Sequence, residues 1–151
     1  MLPETAHKPV HILLIEDDET DVEALKRAFA QNDISYPMSV ASDGESAMAL
    51  LRGSDERPPL PQPTLILLDL SLPRMDGFEF LEQLRSDDRL RCSVVFVLTT
   101  SNNARDKLRA YEQMIAGYIV KSYVGPHYEA VTSLIERYQN AVEFPPTAVS
   151  V

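Results

Sequence analysis

The chain has 151 residues, a normal length for one domain and a short one for two. It is 44% hydrophobic, enough for a sizeable core, and its formal net charge of −9 argues against surfaces for nucleic acid or anionic membrane, both of which need clustered Lys and Arg. The single cysteine, Cys92, excludes an internal disulfide and suits a reducing compartment; it is expected to be a small buried or half-buried hydrophobe.

In chain order, short apolar runs alternate with helical patterns. Residues 1–9 read as an N-terminal extension; Met1-Leu2-Pro3-Glu4-Thr5 has neither the basic nor the apolar region of a signal peptide. Val10 to Ile15 predicts a buried strand, and Val22, Leu25 and Phe29 then recur at helical spacing. A weaker strand is expected at Met38 to Ala41. Ser42 with Glu45 resembles a capping box opening a helix through Ala47, Leu50 and Leu51, which Gly53 ends. The loop Ser54 to Pro63 carries four prolines. Leu65 to Leu68 predicts the third strand, and a helix from about Gly77 carries Phe78, Leu81 and Leu84, with Phe78 and Phe80 expected in core and surface-facing packing. The fourth strand is expected at Val94 to Leu98, followed by a helix with Leu108, Tyr111 and Ile115. The fifth is Tyr118 to Val120, and the last helix carries Val131, Leu134, Ile135 and Tyr138. The main domain is expected over 10–141 and a tail, stopped by Pro145-Pro146, over 142–151. No apolar run approaches the ~20 residues that span a bilayer.

Five strands and five helices in strict alternation predict a parallel α/β sheet with helices on both faces. In such sheets ligands sit beyond the carboxyl ends of the strands. The polar residues that follow the strands are Glu16, Asp17 and Asp18, then Asp69, then Thr99 and Thr100, then Lys121. If strands one and three are neighbours, Glu16, Asp17 and Asp69 converge, and like charges that close call for a cation. Oxygen ligands without His or Cys suit a hard ion, and few protein ligands suit Mg2+ better than Ca2+. The bland alternative is a set of solvated acidic loops.

The blocks Ile12-Leu13-Leu14-Ile15-Glu16-Asp17-Asp18, Leu65 to Gly77 with Asp69 inside it, Val97-Leu98-Thr99-Thr100-Ser101 and Gly117-Tyr118-Ile119-Val120-Lys121 together resemble the receiver domain of two-component response regulators, over roughly Val10 to Asn140. The resemblance implies a flavodoxin-like (βα)5 fold with strand order 2-1-3-4-5. It implies a phosphoacceptor switch, not an enzyme with an outside substrate. Asp69 would take a phosphoryl group from a sensor histidine kinase. Asp17, Asp69 and the backbone carbonyl of Ser71 would bind Mg2+, with Glu16 acting through a water. Thr99 and Lys121 would hold phosphoryl oxygens, and Tyr118 would be the aromatic switch. The Glu16-Asp17 start, the proline-rich loop, Leu98-Thr99-Thr100-Ser101 and the tail also resemble the stand-alone regulators paired with bacterial phytochrome-type kinases.

The resemblance further implies a cytoplasmic protein; with so few residues after the last helix no DNA-binding output domain is expected, so signalling is expected by docking to a protein target or by passing the phosphoryl group to a phosphotransfer protein. One departure stands out. Most receivers follow the lysine with a cis-proline, whereas Lys121 precedes Ser122; a cis bond there would cost about 2.5–4 kcal/mol, so a trans bond is expected. A homodimer is expected through the fourth helix, fifth strand and last helix, where Met114, Ile115, Tyr123 and Tyr128 lie, with the apolar tail from Val142 to Val151. Two other readings compete. A haloacid-dehalogenase-type phosphohydrolase needs Asp-x-Asp after strand one, and the nearest match is Asp17-Asp18-Glu19. A receiver that no longer uses phosphorylation should have lost Asp69, Thr99 or Lys121, and all three are present.

Overall fold

The computed structural model describes residues 9–32 and 35–146. Five strands, β1 (His11–Ile15), β2 (Met38–Ala41), β3 (Thr64–Leu68), β4 (Val94–Thr99) and β5 (Gly117–Val120), form one sheet in the order β2-β1-β3-β4-β5, all pairs parallel. Five helices follow the strands as expected: α1 (Glu19–Ala30), α2 (Gly44–Arg52), α3 (Gly77–Ser86), α4 (Ala104–Glu112) and, after an extra short helix α5 (Lys121–Val124), α6 (Glu129–Ala141). The sixth helix escapes the sequence pattern because one turn has no periodicity to read.

The central strands are apolar except at one end of each, His11, Thr64 and Thr99, because the sheet is covered on both faces. Alternate side chains divide between two cores. Leu13, Ile15, Ile66, Leu68, Val95 and Val97 face α2 and α3, where Met48, Leu51, Leu81 and Leu84 meet them. Ile12, Leu14, Leu65, Leu67, Phe96 and Leu98 face α1 and α6, against Leu25, Phe29, Val131 and Ile135.

Local expectations needed four corrections. Asp43, not Ser42, caps α2: its carboxylate accepts from the Ser46 amide at 2.8 Å, so the helix begins one residue later than the Ser42–Glu45 pairing requires. Phe78 and Phe80 are both buried, because α3 is covered on more than one side and the Arg109 guanidinium lies 4.0 Å over the Phe78 ring. In α4 it is Ala110 that is buried, while Leu108 and Tyr111 face outward and Ile115 falls after the helix ends. Cys92 is exposed, since it sits in the turn between α3 and β4 where Leu90 fills the core. Among the described residues the cis peptide bond is Gln62–Pro63; Lys121–Ser122 is trans, as expected. No helix of the described residues is long and apolar enough to cross a membrane.

Candidate functional site at the carboxyl edge of the sheet

Register alone assembles the site. Ile15 pairs with Leu68, Leu68 with Val97, and Thr99 with Val120. The residues that leave these strands, Glu16, Asp69, Thr99 and Lys121, therefore meet at one edge. Backbone bonds secure the exits: the Asp69 amide donates to the Ile15 carbonyl at 3.0 Å and the Glu16 amide to the Ala41 carbonyl at 2.9 Å.

The three acidic residues after β1 have separate fates. Glu16 is buried. Asp17 is exposed, and it brings a carboxylate oxygen within 4.8 Å of oxygens from Glu16 and Asp69. Asp18 turns the other way and caps α1, accepting from the Thr20 and Asp21 amides at 2.8 and 3.2 Å. Three convergent carboxylates with no His or Cys among them fit a hard divalent cation. The electrostatics agree: burial, with the nearby Asp69 charge adding to it, pushes the Glu16 carboxyl up to about 7 despite its bond to Lys121.

Asp69 is buried, and its oxygens have different partners. Oδ1 accepts from the Thr99 hydroxyl at 2.9 Å and from the Ser71 amide at 3.2 Å; Oδ2 faces the Lys121 ammonium at 3.5 Å. Lys121 makes shorter bonds elsewhere, to Glu16 Oε1 at 2.7 Å and Asp21 Oδ2 at 2.8 Å. Burial pulls the lysine's proton affinity down, but the Asp21 and Glu16 carboxylates outweigh this and hold it above the ordinary lysine range. Tyr118 lies half-buried, its hydroxyl donating to the Ser101 carbonyl at 3.0 Å.

The edge thus brings together Glu16, Asp17, Asp69, Thr99 and Lys121, with the Ser71 amide on Asp69, while Tyr118 bonds to the Ser101 carbonyl. Sequence reasoning missed Asp21, which accepts from both Lys121 and the Tyr128 hydroxyl. The signal was present: an N-cap at Asp18 puts Asp21 in the first turn of α1, and in a parallel sheet that turn lies over the strand exits. Two glycines shape the loop after Asp69. A Cβ on Gly77 would lie 2.6 Å from Leu70 Cα and 2.8 Å from the Asp69 carbonyl, and one on Gly44 would lie 2.8 Å from the Met75 carbonyl. The β3–α3 loop is pinched between two helix N-termini that leave no room for a side chain.

Fold and edge together define a doubly wound α/β domain with an acidic pocket closed by a threonine and a lysine. The chain belongs to the response regulator receiver domain family, which matches residues 12–131. It is 36% identical over 121 residues to the response regulator Rcp1 of Synechocystis sp., covering 80% of this chain and 82% of that one. Among solved structures it resembles the phosphorylated cyanobacterial phytochrome response regulator RcpA, with a TM-score of 0.81, 34% identity and coverage of 93% of this chain and 100% of that one. The Mn(2+)-bound form of Rcp1 gives a TM-score of 0.80 at 33% identity, covering 91% and 100%.

Proposed function

We propose that this receiver, spanning 10–141, accepts a phosphoryl group on Asp69 from a sensor histidine kinase in the cytoplasm and signals through protein–protein contacts that depend on it. The observation that carries this reading is the pairing of Asp69 with Thr99 and Lys121 beside the Glu16–Asp17 carboxylates. An Asp69 carboxylate oxygen attacks phosphorus; the new O–P bond forms as the P–N bond to the kinase histidine breaks, its electron pair leaving with the nitrogen. Dephosphorylation is the reverse type of displacement: water attacks phosphorus and the carboxylate leaves, releasing inorganic phosphate. Asp17, Asp69 and the Ser71 carbonyl are the proposed direct ligands of Mg2+, with Glu16 behind a water. When bound, the ion neutralises phosphoryl charge, which is most of what catalysis of this transfer requires.

Thr99 and Lys121 then hold phosphoryl oxygens. Two such bonds to a charged group are worth about 1.5–3 kcal/mol each, and moving an equilibrium from 1:99 to 99:1 takes about 5.5 kcal/mol. Together the two supply about 3–6 kcal/mol, the size such a switch needs with little to spare, and Tyr118 is the side chain proposed to follow Thr99. The likeness to RcpA, described as a phytochrome response regulator, supports a phytochrome-type kinase as donor. The onward partner is a protein target or a phosphotransfer protein. A homodimer through α4, β5 and the helices that follow completes the reading.

The test is intact mass after incubation with acetyl phosphate and Mg2+, followed by hydroxylamine, which cleaves acyl phosphates. The parent should gain one hydroxylamine-labile phosphoryl group and Asp69→Asn none. Labelling of Asp69→Asn at the parent's rate would refute the assignment.

A further inference from the structure

The lysine at the acceptor pocket is held mainly by groups other than the acceptor. Lys121 follows β5 directly and opens α5, with a trans peptide bond after it. Its side chain is a flexible four-carbon stem, and the ammonium has three donors to place. Each meets one carboxylate: Glu16 at 2.7 Å, Asp21 at 2.8 Å and Asp69 at 3.5 Å. The two short bonds act as a pair of tethers, and the third donor is left facing Asp69. Asp21 is itself fixed from both ends. Its amide is tied to the Asp18 carboxylate through the α1 cap, and its second oxygen, Oδ1, accepts from the Tyr128 hydroxyl at 2.9 Å. Tyr128 is buried and sits at the N-terminus of α6 with φ of 56°, a left-handed conformation that a bulky residue adopts at a cost. That backbone places the hydroxyl on Asp21, 107 residues away in the chain.

We propose that Asp21, held by Tyr128, is a positioning residue for phosphoryl transfer: it fixes the Lys121 ammonium over Asp69, so that α1 and the start of α6 together aim the charge that neutralises the incoming phosphoryl group. Asp21 touches neither Asp69 nor the proposed metal ligands by any bond in the structure; it acts through Lys121, and Tyr128 acts through Asp21. The inference rests on Asp69 being the acceptor. The reaction is the one already written, here with acetyl phosphate as donor: an Asp69 oxygen bonds to phosphorus while the P–O bond to acetate breaks, and acetate leaves with the electron pair.

The experiment follows labelling by acetyl phosphate with saturating Mg2+ in the parent, Asp21→Ala, Asp21→Asn, Tyr128→Phe and the Asp21→Ala/Tyr128→Phe double variant. A misaimed ammonium should lower the saturating rate about tenfold in Asp21→Ala, with half-saturating acetyl phosphate little changed. Asn keeps an oxygen for Lys121 without the charge, so Asp21→Asn should fall between Ala and the parent. Tyr128→Phe keeps the ring and its packing, and it should lower the rate in the same sense. Because Tyr128 is argued to work through Asp21, the double variant should be no slower than Asp21→Ala alone. General loosening of the fold would instead give additive losses. Should Asp21→Ala prove unfolded by circular dichroism, the Asn and Phe variants carry the test by themselves. Parental saturating rates in Asp21→Asn and Tyr128→Phe, or additive losses in the double variant, would overturn the proposal. Asp69→Asn is run alongside: if it still labels, the acceptor assignment has failed, whereas an inert Asp69→Asn beside fully active Asp21 and Tyr128 variants sinks this inference alone.

Discussion

Glu16 is a buried carboxyl whose proton affinity its surroundings raise. Burial holds its carboxyl proton up to about 7, against an ordinary value of 4.5. Between those two values the folded chain keeps a proton that the unfolded chain has released. The stability this proton contributes is present below 4.5 and is lost as pH rises toward 7. His11, whose proton affinity burial lowers, acts in the opposite sense below its ordinary 6.5, so the comparison must isolate Glu16. We expect urea denaturation between pH 5 and 7.5 to show the parent losing stability relative to Glu16→Gln as pH rises. Parallel profiles for the two proteins would show that Glu16 is not the titrating group. Asp18 and Asp21 teach a related lesson. Both are acidic residues beside the same strand exit, yet one satisfies helix amides and the other a lysine, and only the direction of α1 separates them.

Two contacts tie elements together at points where a single change should be costly. Gly77 opens α3 with its amide on the Leu70 carbonyl at 3.1 Å, and any Cβ would press on backbone atoms that have no rotamer to yield. Gly77→Ala is expected to destabilise by about 1–3 kcal/mol and to slow labelling of Asp69, since the displaced atoms belong to the acceptor's own loop. Thermal unfolding and the mass assay read the two effects separately. Arg85, near the end of α3, donates to the carbonyls of Gln113 at 2.7 Å, Arg91 at 2.8 Å, Ser93 at 2.9 Å and Met114 at 3.0 Å. It thus clamps the turn before β4 to the turn before β5. Burial lowers its proton affinity, yet the carbonyl oxygens receive its charge. Arg85→Ala would strand several of them, and we expect a loss of about 3 kcal/mol in urea denaturation. A loss below 1 kcal/mol would mean that water replaces the guanidinium there.

For the whole molecule, the open question of assembly turns on which apolar groups face out. The expected patch was Met114, Ile115, Tyr123 and Tyr128. Met114 and Tyr123 are indeed exposed, at 77% and 72%, but Ile115 packs into the core and Tyr128 is turned inward on Asp21. Leu108 and Tyr111 of α4 take their place on the surface. Part of the apolar tail turns back on the domain: Phe144 packs edge-on against Tyr138 at 5.7 Å, and Tyr138 against Phe96 at 5.2 Å. The remainder, from Thr147 to Val151, lies outside the described residues. We expect light scattering to find a dimer that Leu108→Glu with Tyr111→Glu returns to a monomer. A parent that is monomeric with and without acetyl phosphate would end that idea.

The alternation of apolar runs and helical stripes was enough to specify a parallel α/β domain. The strand-end residues Asp17, Asp69, Thr99 and Lys121 were legible because hydrophobicity stops abruptly where each strand stops. Those signals are local, so sequence carries them without knowledge of neighbours. Everything that depended on contact across the chain was decided by tertiary structure. Whether Ser42 or Asp43 caps α2, whether Leu108 or Ala110 of α4 is covered, and whether Tyr128 faces solvent or Asp21 each turn on how one element is rotated against another. A helical stripe states which residues share a face, but the packing of helices on the sheet selects which face is buried. The same packing brings a carboxylate from α1 to the lysine that follows β5, and the hydroxyl of the residue before α6 to that carboxylate, residues that no short motif links.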